Sequence, residues 1–109
     1  SGRRRANFKY NAYGNDLECK GAQIEVDAGF ESENEVILIE AKTGEVGSEI
    51  IRQIYFPYKY ISGLTNKNIR NIFMVVSKDR ETVSLFEYIF EDSMVYESIK
   101  LVNSEKYLI

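Results

Sequence analysis

One short stretch constrains this chain more than any other. Four aliphatic residues in a row, Val36-Ile37-Leu38-Ile39, run directly into Glu40-Ala41-Lys42. A strand sends successive side chains to opposite faces. An unbroken apolar run therefore predicts a strand over 35–42 that is buried on both faces and lies inside a sheet. Alternating apolar and polar residues predict further strands over 6–13 and 22–30. Turns are expected at Gly14-Asn15-Asp16 and at Ser32-Glu33-Asn34. After Thr43-Gly44, the helical spacing of Ile50, Ile54, Tyr58 and Ile61 predicts a helix that ends at Gly63. Ser48 is its expected N-cap, with Glu49 in the first turn. Pro57 removes the partner of the Gln53 carbonyl, so a kink is expected. Residues 69–77 read as another buried strand. Strand, helix and strand then form a unit whose two strands run parallel with a right-handed crossover. Residues 82–90 and 94–102 read as two later strands, or as a strand and a short helix. The expected fold is an α/β domain, a central mixed sheet flanked by helices, over residues 1–109 as one domain. Ser1-Gly2 has the look of an expression remnant, and the abrupt basic start at Arg3-Arg4-Arg5 fits a piece of a larger protein.

Composition removes several chemistries. The 109 residues contain no histidine, so a Ser-His-Asp triad and a His-bearing zinc site are excluded. The single cysteine, Cys19, permits neither an internal disulfide nor a cysteine zinc cluster. That usage suits a reducing, cytoplasmic setting. No apolar run approaches the roughly 18 residues of a membrane helix, so no membrane partner is expected.

The net charge of −3 conceals a pattern. Residues 1–20 carry a local +3, 21–50 a local −7, 51–80 a local +5 and 81–109 a local −4. An acidic block between basic ones suits a metal site flanked by phosphate-contacting surfaces. Chance alternation of solvated faces produces such a pattern equally well. Within the acidic block, Glu40 and Lys42 share one strand face, and Asp27 ends the preceding strand. If the two strands pair through 31–34, Asp27 approaches Glu40. Two carboxylates held close repel, and a hard divalent cation such as Mg²⁺ relieves the repulsion. A lysine beside them can orient a water and stabilise charge on a phosphate. A lone Glu-x-Lys is usually a solvated strand face; here it follows a buried run and precedes Thr-Gly and a helix.

Asp27 followed by Glu40-Ala41-Lys42, on a hairpin that leads into a helix, resembles the PD-(D/E)xK, or restriction-endonuclease-like, nuclease superfamily. The resemblance covers about residues 22–77 and is closest to the catalytic core of a type II restriction endonuclease. It implies that Asp27, Glu40 and the carbonyl of Ala41 hold Mg²⁺, with Mn²⁺ as a substitute. It further implies that Lys42 positions the attacking water, and that Gln53, in Arg52-Gln53-Ile54-Tyr55, is the polar residue many members carry on the following helix. Val26 stands where the motif's Pro would be. The acidic residue of an upstream helix has no clear counterpart, and Glu18 and Glu25 are weak substitutes.

The implied activity is Mg²⁺-dependent endonucleolytic hydrolysis of DNA. Arg3, Arg4, Arg5, Arg52 and Lys59 are the candidate phosphate contacts, beside Lys67 and Arg70. The 8 Tyr and 6 Phe mostly fill the core. Tyr55, Phe56, Tyr58 and Tyr60 nonetheless point to several sides of one helix, which leaves room for nucleic acid, further domains or a second subunit in a homodimer. The competing reading is a catalytically inactive nucleic-acid-binding or interaction domain on the same fold.

Overall fold

The computed structural model describes residues 2–109, with side chains from Arg4 onward; the expected remnant residue Ser1 and the Arg3 side chain lie outside the described residues. Strands β1 (Gly2–Ala12) and β2 (Asn15–Val26) form an antiparallel hairpin that stands apart as its own two-stranded sheet. Its turn is Tyr13-Gly14, one residue earlier than expected. Both residues take positive φ, 53° and 83°. Two left-handed residues match the twist of the flanking strands. Asn11 secures the turn, its Oδ1 accepting the Gly14 N–H at 3.2 Å.

The main sheet has five strands in the order β3 (Ala28–Glu31), β4 (Glu35–Thr43), β5 (Asn68–Val76), β6 (Thr82–Phe90) and β7 (Ile99–Leu108). The pair β4 and β5 is parallel, and the other neighbours are antiparallel. The α/β class, the mixed sheet and the parallel pair around a helix are as the sequence predicts. Residues 94–102 divide into a single 3-10 turn at Tyr96–Ser98 and the start of β7.

Helix α1 (Ile50–Ser62) crosses one face of the sheet. It begins one residue later than expected. Glu49, not Ser48, takes the cap position, and no side chain caps the first turn. The helix continues through Pro57, which is itself buried. Ile54 is buried as the spacing requires. Tyr55, outside the expected stripe, is fully buried, with its hydroxyl donating to the Ser93 carbonyl at 2.8 Å. That bond is what makes a phenol tolerable in a core. Ile54, Tyr55, Phe73 and Phe90 form the core, and the hairpin closes over its edge through Phe8 and Tyr10.

Two expectations are corrected. The strand expected over 22–30 breaks at Asp27, a bend between β2 and β3, so the chain passes from one sheet to the other there. The strand over 35–42 lies inside the sheet but is not buried on both faces. Val36 and Leu38 are buried under the helix, whereas Ile37 and Ile39 are half-buried. Among the described residues, α1 is the sole α-helix, so helices flank one face and not two.

Candidate functional site: a carboxylate cleft at the end of β4

The break at Asp27 creates the site. β3 pairs with β4 only over Val36 to Ile39, through Glu31 to Ala28. Beyond Ile39, β4 keeps its parallel partner on one side and has no strand on the other. The vacant edge meets the Asp27 side chain. Its Oδ2 accepts the backbone N–H of Ala41 at 2.9 Å. A carboxylate thus takes the place of a strand and is fixed in position by the backbone it caps.

Glu40 projects from the adjacent position on β4. Its carboxyl is close enough to that of Asp27 to share a proton. Burial, first, and then the charge and hydrogen bond of Asp27 and the charge of Glu25 push Glu40 up to about 7 from 4.5. All of these causes disfavour a second negative charge in a half-buried place. Lys42 is not among the groups that act on Glu40. Its Nζ lies 2.7 Å from Oε1 of Glu49, just before α1. Glu49 is held below the usual carboxylate range by that bond and by nearby backbone N–H groups. Gly44, with φ 89°, turns the chain away after Thr43 and starts the loop that brings Glu49 back over β4.

These residues line a cleft of about 380 Å³, in which Glu25, Asp27, Glu40 and Glu49 meet Arg52 and Gln53. The structure therefore brings together Asp27, Glu40, Gln53 and Arg52 of the sequence-derived set, with Ala41 and Lys42 alongside. It does not bring in the other cations. Arg4 lines a separate groove beside Tyr60 and Leu64. Arg5 donates to the Gly21 carbonyl at 3.0 Å within the hairpin. Lys59 lies against Met94, with Nζ 2.9 Å from the sulfur. Sequence reasoning gave Glu25 little weight and read Glu49 only as a helix-start residue. The available signal for Glu25 was its place two residues before Asp27, on the same face of an alternating strand. Nothing in the sequence tied Glu49 to Lys42.

Two carboxylates fit a hard cation that keeps most of its waters, because Mg²⁺ is commonly held by one or two carboxylates together with substrate phosphates. The raised Glu40 marks the charge that such an ion would neutralise. Among the described residues no group of three or more acidic, His or Cys side chains is arranged to enclose a metal. No described helix is long and apolar enough to cross a membrane.

A family model described as a domain of unknown function, DUF6997, matches residues 1–108. No curated protein and no solved structure matches the chain.

Proposed function

From the premise that the chain belongs to the DUF6997 family, whose description assigns no activity, we propose that it is a Mg²⁺-dependent endonuclease of DNA built on a restriction-endonuclease-like core. The observation that carries this reading is the Asp27–Glu40 pair at the open end of β4, with Asp27 fixed on the Ala41 N–H and Glu40 raised by burial and then by its neighbour. Structural acidic residues are normally matched by a cation, as Glu87 is by Arg70 in this molecule. An unmatched pair in which Glu40 is half-buried is retained at a cost to stability, which is a mark of functional sites.

In this reading Asp27 and Glu40 hold the ion. The carbonyl of Ala41 would be a third protein donor, because the N–H and C=O of a strand residue leave toward the same edge. A divalent ion held there would supply charge to neutralise a phosphate and a bound water of lowered pKa. Lys42 exchanges Glu49 for the incoming phosphate or its water, and its ammonium stabilises the negative charge that grows as the water oxygen bonds to phosphorus and the bond to the leaving sugar oxygen breaks, the water giving a proton to solvent and the leaving oxygen taking one from it. Gln53 orients substrate or water by its amide. Arg52 holds a neighbouring phosphate.

The test is cleavage of supercoiled DNA in Mg²⁺. Lys42→Ala is expected to slow cleavage by a factor on the order of 10²–10³ while leaving the fold intact. Titration calorimetry with Mn²⁺ is expected to lose its site in Asp27→Ala. Equal cleavage by Lys42→Ala and the parent overturns the mechanism.

One observation favours the second reading, an inactive nucleic-acid-binding or interaction domain: Lys42 is engaged by Glu49 and not directed at the carboxylate pair. That reading predicts DNA binding with no Mg²⁺-dependent cleavage.

A further inference from the structure

Beside the carboxylate cleft is a second recess of about 390 Å³, and Arg52 and Phe56 line both. Its other walls are Tyr10, Tyr96, Cys19 and Glu18. The rings stand around it as a set. Tyr10 meets Phe56 at 5.8 Å between centroids and Tyr96 at 6.1 Å. The Arg52 guanidinium lies over the Phe56 ring at 5.2 Å from its centre. Arg52 also acts electrostatically on Tyr96, so one cation reaches both walls.

These rings come from three separate parts of the chain: β1, α1 and the 3-10 turn. The two ring-bearing residues of α1 are pinned differently. Tyr55 points into the core, whereas Phe56, one residue on, is half-buried against Phe8 and Tyr10 and lines the recess. Tyr10 and Tyr96 are likewise half-buried, resting on Tyr55 on one side.

We infer that this recess is a base-stacking subsite, and that the substrate carries an unpaired DNA base next to the scissile phosphate. The inference rests on the nuclease reading and adds the substrate class. Aromatic faces and a guanidinium plane are the groups on which single-stranded bases stack. Glu18 on the wall repels a phosphate but accepts a hydrogen bond from an exocyclic amino group, so the recess suits a base and not the backbone. The shared residues set the spacing: a phosphate at Arg52 leaves its attached base at Phe56. In a duplex both faces of a base are covered by its stacking neighbours. Only a single strand, a flap or a flipped nucleotide can present one.

Fluorescence anisotropy with Ca²⁺ in place of Mg²⁺ compares three probes: a 12-nucleotide dC strand, an abasic strand of equal length and a 12-bp duplex. The dC strand is expected to bind about tenfold tighter than the abasic one. Tyr96→Leu keeps apolar volume and is expected to reduce dC to the abasic level without changing the abasic affinity. Arg52→Gln, at an exposed position, is expected to weaken both strands. Equal affinity of the parent for the dC and abasic strands overturns the subsite, even if Tyr96→Leu does not fold. If that equality accompanies Mg²⁺-dependent cleavage, the nuclease reading survives without it. A dC preference in a chain that cleaves none of the probes in Mg²⁺ keeps the subsite and overturns the nuclease reading.

Discussion

Two of the partly buried glutamates of the main sheet, Glu87 and Glu40, are treated in opposite ways. Glu87 on β6 receives Arg70 of β5 in a two-pronged pair, with N···O distances of 2.7 and 3.0 Å. Those hydrogen bonds hold Glu87 below the usual carboxylate range. Glu40 on β4 is pushed up to about 7, by burial first and then by Asp27 and Glu25. One register position decides much of this. Arg70 sits opposite Ile37, on the sheet face away from the helix, and Ile72 beside it pairs with Glu87. Glu40 lies on the helix side, where its cation, Lys42, is drawn off by Glu49. The sheet thus neutralises one charge from within and leaves the other beside two carboxylates. The contrast separates a structural acid from a candidate functional one.

The contrast breaks most sharply on activity. Glu40→Gln is expected to lower Mg²⁺-dependent DNA cleavage by a factor on the order of 10²–10³, whereas Glu87→Gln leaves it within about twofold of the parent. Comparable losses in both variants would show that Glu40 has no special role.

The next effect is on stability against pH, without metal. Glu40 holds its proton more tightly folded than unfolded, so the folded state binds more protons between about 4.5 and about 7. Its contribution is present below about 4.5 and is lost as pH rises through about 7. The loss is at most about 3 kcal/mol. Glu87 has the opposite sign, because its folded pKa is depressed. Its contribution is present above 4.5 and is lost as pH falls through the folded value. Urea unfolding in EDTA from pH 4 to 8 is expected to show the high-pH decline in the parent and its disappearance in Glu40→Gln. Adding Mn²⁺ at pH 8 should restore stability to the parent alone.

A smaller effect belongs to Arg70. Arg70→Ala leaves Glu87 without its hydrogen-bonding partner, but the pair is open to water on the Arg70 side. The expected cost is about 1 kcal/mol, read by thermal melting. Mn²⁺ affinity should not change. The smallest effect is that of Glu49→Gln. It breaks an exposed ion pair, and the melting temperature is expected to stay where it is. A large drop would mean that the Lys42–Glu49 pair is a structural strut and belongs with Arg70–Glu87.

Much of the site was legible because strand alternation is a local property. Glu40 and Lys42 share a face by spacing alone, and pairing through the 31–34 turn carries Asp27 toward Glu40. The break at Asp27 was not legible. Residues 22–30 alternate without interruption, and pairing partners, not pattern, decide where one sheet hands the chain to another. The one-sided burial of Val36–Ile39 was also hidden. An apolar run specifies side chains that tolerate burial on both faces, and whether a second layer exists depends on the rest of the chain. Tyr55 escaped the helical stripe because its burial depends on a carbonyl 38 residues away, at Ser93.

The sequence by itself determined the elements that depend on near neighbours: the strands, the parallel pair around a helix, the Tyr13-Gly14 region as a turn and the acidic character of residues 21–50. Those follow from periodicity, backbone stiffness and charge, which act over a few residues. Tertiary structure alone decided which charges meet. Glu49 and not Glu40 receives Lys42, Glu25 joins the cleft, and Arg4, Arg5 and Lys59 are kept out of it. Charge interactions fall off over about 8 Å in physiological salt, and only the folded chain sets distances of that order between residues far apart in sequence.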